Sequence, residues 1–234
     1  MIHAVLFDLD GTLADTAPDL GYALNQQLAL HGKQPISLEQ IRVEASNGAR
    51  GLLKLGFGVT HTDRKYETMR EEFLAIYAEN LCKETQLFPG ITEILSELEA
   101  RTICWGIVTN KPSRFTLPLL QMLGLKQRAA VIVSGDDTNY SKPHPEPLLT
   151  ACRKINISPQ NCLYLGDDLR DVEASRAAGI MPIIAGYGYS GSHSQPDTWG
   201  ADGMINHPGN LLDYIYTDQH LLCWNANPRC PPQK

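Results

Sequence analysis

Short apolar runs alternate with amphipathic segments along most of the chain. The apolar runs predict buried β-strands that begin at Ala4 and recur at Ile103–Val108, Ala130–Val133, Cys162–Leu165 and Met181–Ile184. Between them, apolar residues at helical spacing predict helices over Gly90–Ala100, Phe115–Leu123, Pro145–Ile155 and Leu169–Ala178. Strands that alternate with helices of this length are typical of βαβ units, so the pattern predicts an α/β fold with a parallel sheet.

The stretch between Asp15 and about Leu87 departs from this alternation, because it has helical periodicity without strand patterns. Its apolar stripes predict helices over Ala17–His31, Leu38–Glu44, Ala49–Leu55 and Asp63–Asn80. We interpret the stretch as an all-helical cap domain inserted after the first strand, with hinges near Leu13–Thr16 and Gln86–Gly90. The alternative is that these helices pack directly on the sheet.

The predicted domain organisation follows from this break in the pattern. An α/β core spans residues 1–14 and 87–216, a helical cap spans 15–86, and a C-terminal tail spans 217–234. The tail is rich in Asn, Pro and Gln, and its pattern predicts no function. A chain of 234 residues is long enough for an α/β domain with a smaller insert.

Composition and charge narrow the classes of function. Hydrophobic residues make up 43% of the chain and charged residues 20%, which is ordinary for a globular protein. The net charge of -6 argues against a nucleic-acid partner. No apolar run approaches the length of a membrane span and the N-terminus has no basic segment, so we expect no membrane partner and a cytoplasmic location. The six cysteines form no C-x-x-C pair, so zinc-finger spacing is absent.

The most informative polar residues are Asp8 and Asp10, which follow the first apolar run and precede Gly11. Residues two apart on a strand point to the same side, so both carboxylates converge where the strand ends. Two carboxylates that close repel unless a cation lies between them. Oxygen ligands of this kind favour a hard divalent metal. The alternative is an exposed strand end followed by a turn.

Polar residues also follow three later strands. Thr109 and Asn110 offer a hydroxyl and backbone N–H groups that suit a phosphate oxygen, or that cap the next helix. Lys142 follows the next strand, where its ammonium would neutralise a phosphoryl group and a carboxylate, although most lysines are exposed. The last set is a group of acids that open a helix, some of which simply favour the helix dipole. These acids are Asp167, Asp168 and Asp171.

In order and residue type, these segments resemble the motifs of the haloacid dehalogenase-like (HAD) hydrolase superfamily. Those motifs are Asp-x-Asp-x-Thr, a Thr or Ser, a Lys, and Gly-Asp-x-x-x-Asp. They read here as Asp8–Thr12, Thr109, Lys142 and Gly166–Asp171. The resemblance implies an α/β fold in which a Rossmann-like parallel sheet core carries an inserted all-helical cap domain.

The resemblance also implies roles for the acids. Asp8 resembles the nucleophile that attacks phosphorus and forms an aspartyl phosphate. Asp10 resembles the general acid that protonates the leaving alcohol and then acts as the base for water. Mg²⁺ is the implied cofactor, and its implied ligands are Asp8, the backbone carbonyl of Asp10 and Asp167.

The other motif residues are implied to bind the phosphoryl group or to support the site. Thr109, the Asn110 amide and Lys142 would hold the transferring oxygens. Asp171 would anchor Lys142 or a metal-bound water. Asp168 stands at a variable position of its motif, and a contact between Asp168 and the metal site is left open.

Within the superfamily, Asp8–Pro18 and the helical insert resemble the phosphoglycolate phosphatase family. Trp105–Pro112, Leu165–Gly179 and Gly186–Tyr189 resemble its bacterial N-acetylmuramic acid 6-phosphate phosphatase branch. The resemblance implies a small phosphorylated metabolite as the partner, and a monomer or homodimer. Both 2-phosphoglycolate and N-acetylmuramic acid 6-phosphate carry a carboxylate, so the substrate is left open between these and other sugar phosphates.

The cap offers a candidate substrate ligand. Arg50 lies in a polar stretch, residues 46–51, and is expected to pair with a substrate carboxylate. The alternative is that Arg50 is a solvated helix residue. Tyr187, Tyr189 and Trp199 are candidates for lining a sugar-sized pocket, with core or surface packing as the alternative.

Several functions are compatible with these motifs. The leading hypothesis is a Mg²⁺-dependent phosphatase that acts on a small phosphomonoester. A phosphosugar mutase of the β-phosphoglucomutase type would return the phosphoryl group to the sugar, and a non-catalytic HAD-fold binding protein would have lost the chemistry. A dehalogenase is disfavoured, because such an enzyme has no leaving alcohol for Asp10 to protonate.

Overall fold

A computed structural model of the chain describes residues 1–189 and 195–215, so the predicted tail at 217–234 lies outside the described residues. The strands are β1 (Ala4–Phe7), β2 (Ala14–Asp15), β3 (Gln86–Leu87), β4 (Cys104–Val108), β5 (Val131–Val133), β6 (Cys162–Gly166), β7 (Met181–Ala185) and β8 (Gly203–Ile205). The helices are α1 (Ala17–Leu30), α2 (Leu38–Ala45), α3 (Gly48–Phe57), α4 (Tyr66–Glu79), α5 (Ile91–Ala100), α6 (Ser113–Met122), α7 (Glu146–Ile155) and α8 (Leu169–Ala178). None of the described helices has the length and hydropathy that crossing a membrane requires.

The main sheet has six parallel strands in the order β5-β4-β1-β6-β7-β8. The first strand is therefore central, with β4 on one side and β6 on the other. In this register Phe7 lies opposite both Ile107 and Leu165, so the residues that follow these strands emerge at one edge of the sheet. The predicted α/β fold with a parallel sheet is confirmed.

Side chains of β1 alternate between two buried faces of the sheet. Val5 and Phe7 belong to a core cluster on one face, whereas Ala4 and Leu6 belong to a cluster on the other. All four side chains are fully buried. Helices cover both faces of a parallel sheet, which explains why these strands read in the sequence as continuous apolar runs.

Three short strands were not predicted. The strand β8 pairs with β7 at the edge of the sheet, and of its residues only Ile205 is buried. The strands β2 and β3 form an antiparallel pair in which Ala14 lies opposite Leu87. The expectation of no strands between Asp15 and Leu87 is therefore wrong at both ends of that stretch. Strands of two or three residues are too short to show an alternating pattern.

The helices α1 to α4 pack around a hydrophobic cluster of their own, which includes Leu24, Leu52 and Phe73. Phe115 of α6 and Tyr189, which follows β7, also join this cluster. The β2–β3 pair joins the point where the chain leaves the sheet to the point where it returns. These contacts are compatible with an inserted cap, and the predicted domain boundaries stay a prediction.

A buried carboxylate connects α1 to the returning segment. Asp19 is fully buried and accepts hydrogen bonds from the Asn80 side chain at 3.0 Å, from the Glu84 N–H at 3.0 Å, and from the N–H and hydroxyl of Thr85 at 2.9 and 2.7 Å. This one carboxylate gives a hydrogen-bond acceptor to several N–H and O–H groups that would otherwise be buried without a partner. Asp19, at the start of the helical segment, therefore holds residues 80–85 at its end in contact with α1.

We expect Asp19→Ala to lower the free energy of unfolding by about 3 kcal/mol, because several donors at residues 80–85 lose their acceptor. Urea denaturation of both proteins measures the loss. The matched control is Glu93→Ala, which removes an exposed acid from α5 and should change stability by less than about 0.5 kcal/mol. Equal stability of the two variants would contradict this role of Asp19.

Candidate active site

The carboxyl edge of the sheet collects the predicted site residues. The N–H of Asp8 donates to the Leu165 carbonyl at 2.9 Å, and the N–H of Thr109 donates to the Val133 carbonyl at 2.9 Å, so both residues continue the hydrogen bonding of their strands. A cavity of about 230 Å³ opens at this edge. Of the predicted residues, its lining includes Asp8, Asp10, Arg50, Thr109, Asn110, Lys142 and Asp168.

Three acids meet beside the cavity. Asp8, Asp167 and Asp171 each offer a carboxylate oxygen, and these oxygens all lie within 4.8 Å of one another. Burial raises the pKa of Asp167 well above its ordinary value, and the carboxylates of Asp8 and Asp171 raise it further. Burial also raises the pKa of Asp171, although Lys142 opposes the shift. Acids that are this close and this buried favour a cation among them.

The donor set fits a hard divalent cation. The Oδ1 atom of Asp8 is buried, and the contact that the structure describes for it is the ion pair with Nζ of Lys142 at 2.9 Å. Gly11 has a φ of +80°, and a Cβ atom at that position would overlap the Asp167 carboxylate. The loop after β1 therefore leaves room for the acid cluster. Carboxylate oxygens clustered in this way are the ligands that Mg²⁺ and similar ions prefer.

Lys142 provides the buried positive charge of the site. Its side chain is 1% exposed, and Nζ donates to Tyr164 Oη at 2.7 Å, to Asp171 Oδ1 at 2.7 Å and to the Val108 carbonyl at 3.2 Å. Burial lowers the pKa of Lys142, but the carboxylates of Asp171 and Asp8 more than offset it, so the pKa is raised above its ordinary value. The ammonium is therefore charged and lies directly beside Asp8.

Asn110 positions the loop that carries Lys142. The Asn110 side chain donates to the Lys142 carbonyl at 2.9 Å and accepts from the Lys142 N–H at 2.9 Å. Both the oxygen and one N–H of the Asn110 side chain are thus used to hold this loop, which leaves its second side-chain N–H and its backbone N–H as candidates for a contact with phosphoryl oxygens. The Thr109 hydroxyl accepts from the Lys111 N–H at 3.2 Å and is otherwise positioned at the cavity wall.

A second buried lysine, which sequence reasoning missed, contacts Asp10. Nζ of Lys111 donates to Asp10 Oδ1 at 2.9 Å, and the same oxygen accepts from the Thr16 hydroxyl at 2.5 Å. Burial lowers the pKa of Lys111, but Asp10 and Tyr77 more than offset it, so this pKa is raised. A lysine two residues after a buried strand is a weak signal, because most lysines in loops are exposed.

Residues of the helical segment reach the acid cluster directly. The Ser46 hydroxyl donates to Asp167 Oδ2 at 3.0 Å, and Arg170 donates to the Asn47 side chain at 2.5 Å. Arg42 donates through both terminal nitrogens to Asp15 at 2.7 and 2.6 Å. The loop between α2 and α3 therefore lies against the acid cluster at the carboxyl edge of the sheet. Sequence reasoning placed Ser46 and Asn47 in a flexible polar stretch but predicted no contact with Asp167.

Asp168 caps the start of α8. Its carboxylate accepts from the Arg170 N–H at 2.9 Å and from the Arg170 guanidinium at 2.7 and 2.8 Å. The Asp171 carboxylate accepts in turn from the Asp168 N–H at 3.1 Å, which completes a capping box. Asp168 is thus engaged by Arg170 and is not one of the clustered acids.

The remaining sequence expectations concern Arg50 and three aromatic residues. Arg50 is exposed at the cavity lining, so its contact with a substrate stays a prediction. For Tyr187, Tyr189 and Trp199, the structure favours the packing alternative over pocket lining, since the lining of the cavity at Asp8 includes none of them. The hydroxyl of Tyr187 donates to the Thr12 carbonyl at 3.1 Å, and that of Tyr189 to Asp15 at 2.6 Å. The two tyrosine hydroxyls therefore join the loop after β7 to the segment after β1 by hydrogen bonds.

Comparisons with known proteins agree with this geometry. A sequence model described as haloacid dehalogenase-like hydrolase matches residues 5–185. An N-acetylmuramic acid 6-phosphate phosphatase of Pseudomonas aeruginosa is 42% identical over 214 residues, which cover 92% of this chain and 95% of the relative. A phosphoglycolate phosphatase of Xanthomonas campestris is also 42% identical, over 212 residues that cover 90% of this chain and 95% of the relative. Because the chain is equally identical to both relatives, sequence identity does not indicate which of their two substrates it shares.

A solved structure shows the same architecture. The crystal structure of a protein from Haemophilus somnus, described as a predicted phosphoglycolate phosphatase, superposes with a TM-score of 0.81 at 26% identity and covers 92% of this chain and 98% of that one. The family match spans well over half of the chain, and the relatives are matched over nearly their whole length. The chain belongs to the haloacid dehalogenase-like hydrolase family.

Proposed function

We propose that this protein is a Mg²⁺-dependent phosphatase that hydrolyses a small phosphomonoester through an aspartyl phosphate on Asp8. The observation that carries the proposal is the position of Asp8, which lies 2.9 Å from the ammonium of Lys142 and within 4.8 Å of two buried acids at the edge of one cavity. The names of the relatives support the same class of reaction. A protein with an aspartate at this position and a charged lysine beside it is equipped for nucleophilic attack on phosphorus.

In the first step, an oxygen of Asp8 attacks phosphorus, the new Asp8–phosphoryl bond forms, and the ester bond to the alcohol breaks. Asp10 gives its proton to the departing alkoxide, because that oxygen becomes strongly basic as the bond breaks. Lys142 and the Thr109 hydroxyl stabilise the charge on the transferring oxygens. Lys111 and Thr16 hold the Asp10 carboxylate at the cavity wall by their contacts with Oδ1.

In the second step, Asp10 takes a proton from water, the water oxygen bonds to phosphorus, and the bond to Asp8 breaks. Phosphate is released, and both aspartates return to their starting states. Asp8, Asp167 and the backbone carbonyl of Asp10 would hold Mg²⁺, and the ion would offset repulsion between the anionic nucleophile and the anionic substrate. Asp171 holds Lys142 against Asp8 through the 2.7 Å ion pair.

The substrate that we propose is a small phosphorylated metabolite with a carboxylate. Both substrates named for the relatives, N-acetylmuramic acid 6-phosphate and 2-phosphoglycolate, have this group. The cavity lining has five basic residues, which are Arg50, Arg70, Lys111, Lys142 and Arg170, against three acids, which are Asp8, Asp10 and Asp168. An anionic substrate therefore enters a pocket with an excess of basic residues in an acidic protein.

We expect phosphate release that depends on divalent metal. Purified protein with Mg²⁺ should release inorganic phosphate from at least one member of a phosphomonoester panel, and excess EDTA should reduce release to background until Mg²⁺ is restored. Phosphate assays and NMR of the sugar products measure the two reactions separately. Isomerised sugar phosphate without free phosphate would indicate a mutase, and no turnover of any substrate would indicate a binding protein.

A further inference from the structure

One face of α4 lines the cavity that contains Asp8 and Asp10. Tyr66, Arg70, Phe73 and Tyr77 follow one another at spacings of three or four residues, so they share a side of the helix. This face is aromatic except at Arg70. Because Asp8 and Asp10 would engage the phosphoryl group, a face of α4 in the same cavity is available to the alcohol part of the substrate.

The hydroxyl of Tyr77 has no acceptor for its proton among the described residues. The residue is 1% exposed. Nζ of Lys111 lies 4.7 Å from the centre of the Tyr77 ring and 2.9 Å from Asp10, so the same ammonium contacts both Tyr77 and the proposed general acid. Because an ammonium only donates hydrogen bonds, Lys111 does not accept the Tyr77 proton. A buried O–H without an acceptor destabilises the folded protein, and a ligand oxygen at this place would accept its hydrogen bond.

Arg70 lies two helical turns from Tyr77 on the same face. At ~1.5 Å per residue the separation along the helix axis is about 10 Å. The Arg70 side chain is 35% exposed and pairs with Glu67 at 3.6 Å, a distance that leaves most of the guanidinium available to a ligand. Guanidinium groups bind carboxylates through two parallel hydrogen bonds.

We propose that Tyr77 and Arg70 bind the leaving group of the substrate at two separate points. The Tyr77 hydroxyl hydrogen-bonds a polar group close to the ester, and Arg70 binds a carboxylate at the far side of the molecule. This inference rests on the proposed phosphatase function. The separation fits a phosphorylated sugar acid, whose ring lies between the ester and the carboxylate. In a two-carbon acid the carboxylate is next to the ester and does not reach Arg70.

Two substrates that differ in one group test the role of Arg70. N-acetylmuramic acid 6-phosphate carries a lactyl ether with a carboxylate, and N-acetylglucosamine 6-phosphate lacks it. We expect the native protein to prefer the first by about tenfold or more in kcat/KM. Arg70→Met should lower kcat/KM for the first by about 10- to 100-fold and leave the second unchanged, whereas Arg70→Lys should retain part of the preference.

The matched control is Arg64→Met, which removes an exposed arginine that does not line the cavity and should leave both substrates unchanged. An equal loss on both substrates, or no loss, would overturn the assignment of Arg70. A loss confined to the carboxylated substrate in Arg50→Met but not in Arg70→Met would also overturn it. Failure of the native protein to release phosphate from any ester would instead refute the phosphatase function itself.

Tyr77→Phe tests the second contact. We expect kcat/KM for both sugar phosphates to fall by roughly threefold to tenfold, because the variant loses one hydrogen bond to the part they share. The melting temperature should stay about the same, since the O–H of Tyr77 donates to no acceptor among the described residues. Unchanged kinetics would overturn the contact. A lower melting temperature with equal losses on every phosphomonoester would assign Tyr77 a structural role instead.

Discussion

Asp8→Asn is expected to reduce phosphate release by on the order of 10⁴-fold or more, to the background of the assay. The amide of asparagine is a poor nucleophile, so no covalent bond to phosphorus forms. Lys142, Thr109 and the buried acids remain in place in this variant, but each of them acts only on a phosphoryl group that Asp8 attacks. Single-turnover assays with excess protein measure the residual rate.

The stability of the same variant separates chemistry from folding. Asp8, Asp167 and Asp171 place three carboxylates within 4.8 Å, so removal of one negative charge should maintain or raise the melting temperature of metal-free protein. Circular dichroism melts in EDTA provide the comparison. A folded Asp8→Asn protein that retains turnover within about 100-fold of the native rate would show that another group attacks phosphorus.

Lys142→Met is expected to lower the free energy of unfolding by about 3–5 kcal/mol in metal-free protein. The side chain is 1% exposed and lies 2.7 Å from Asp171 and 2.9 Å from Asp8. Its removal leaves both carboxylates buried without their cation, and the desolvation of these charges is no longer offset. Urea denaturation in the presence of EDTA measures the loss. We expect turnover to fall as well, because Lys142 lies directly beside the proposed nucleophile.

The control for this prediction is Lys126→Met, which removes an exposed lysine and should change stability by less than about 0.5 kcal/mol. The double variant Lys142→Met with Asp171→Asn should recover part of the lost free energy of unfolding, because one of the two unpaired buried carboxylates is removed as well. If Lys142→Met is as stable as Lys126→Met, the ion pairs at Lys142 do not stabilise the folded protein.

The sheet and its catalytic edge could be predicted because buried parallel strands leave a clear signal. Helices cover both faces of β1, β4 and β6, so each reads as an uninterrupted apolar run, and the polar residue after it marks the strand end. Asp8, Thr109 and Asp167 were placed in this way. The strands β2, β3 and β8 could not be found, since two or three residues show no period.

The contacts made by side chains from separate segments were beyond sequence reasoning. Lys111 is buried because the ring of Tyr77, on α4, lies against its ammonium, and nothing in the residues around Lys111 indicates that. Ser46 reaches Asp167 only because α2 and α3 lie over the edge of the sheet. For Tyr189 the sequence left pocket lining and packing as alternatives, because its residue type fits both, and only the structure shows that its hydroxyl lies 2.6 Å from Asp15.

The most direct test is to identify the atom that receives the phosphoryl group. Protein mixed with Mg²⁺ and a substrate that it turns over is quenched in acid within one turnover, digested, and mapped by mass spectrometry. Our account predicts one added phosphoryl group on the peptide that contains Asp8, localised to that residue and absent from Asp8→Asn. A phosphoryl group on another residue, or none at any time while phosphate is being released, would contradict it.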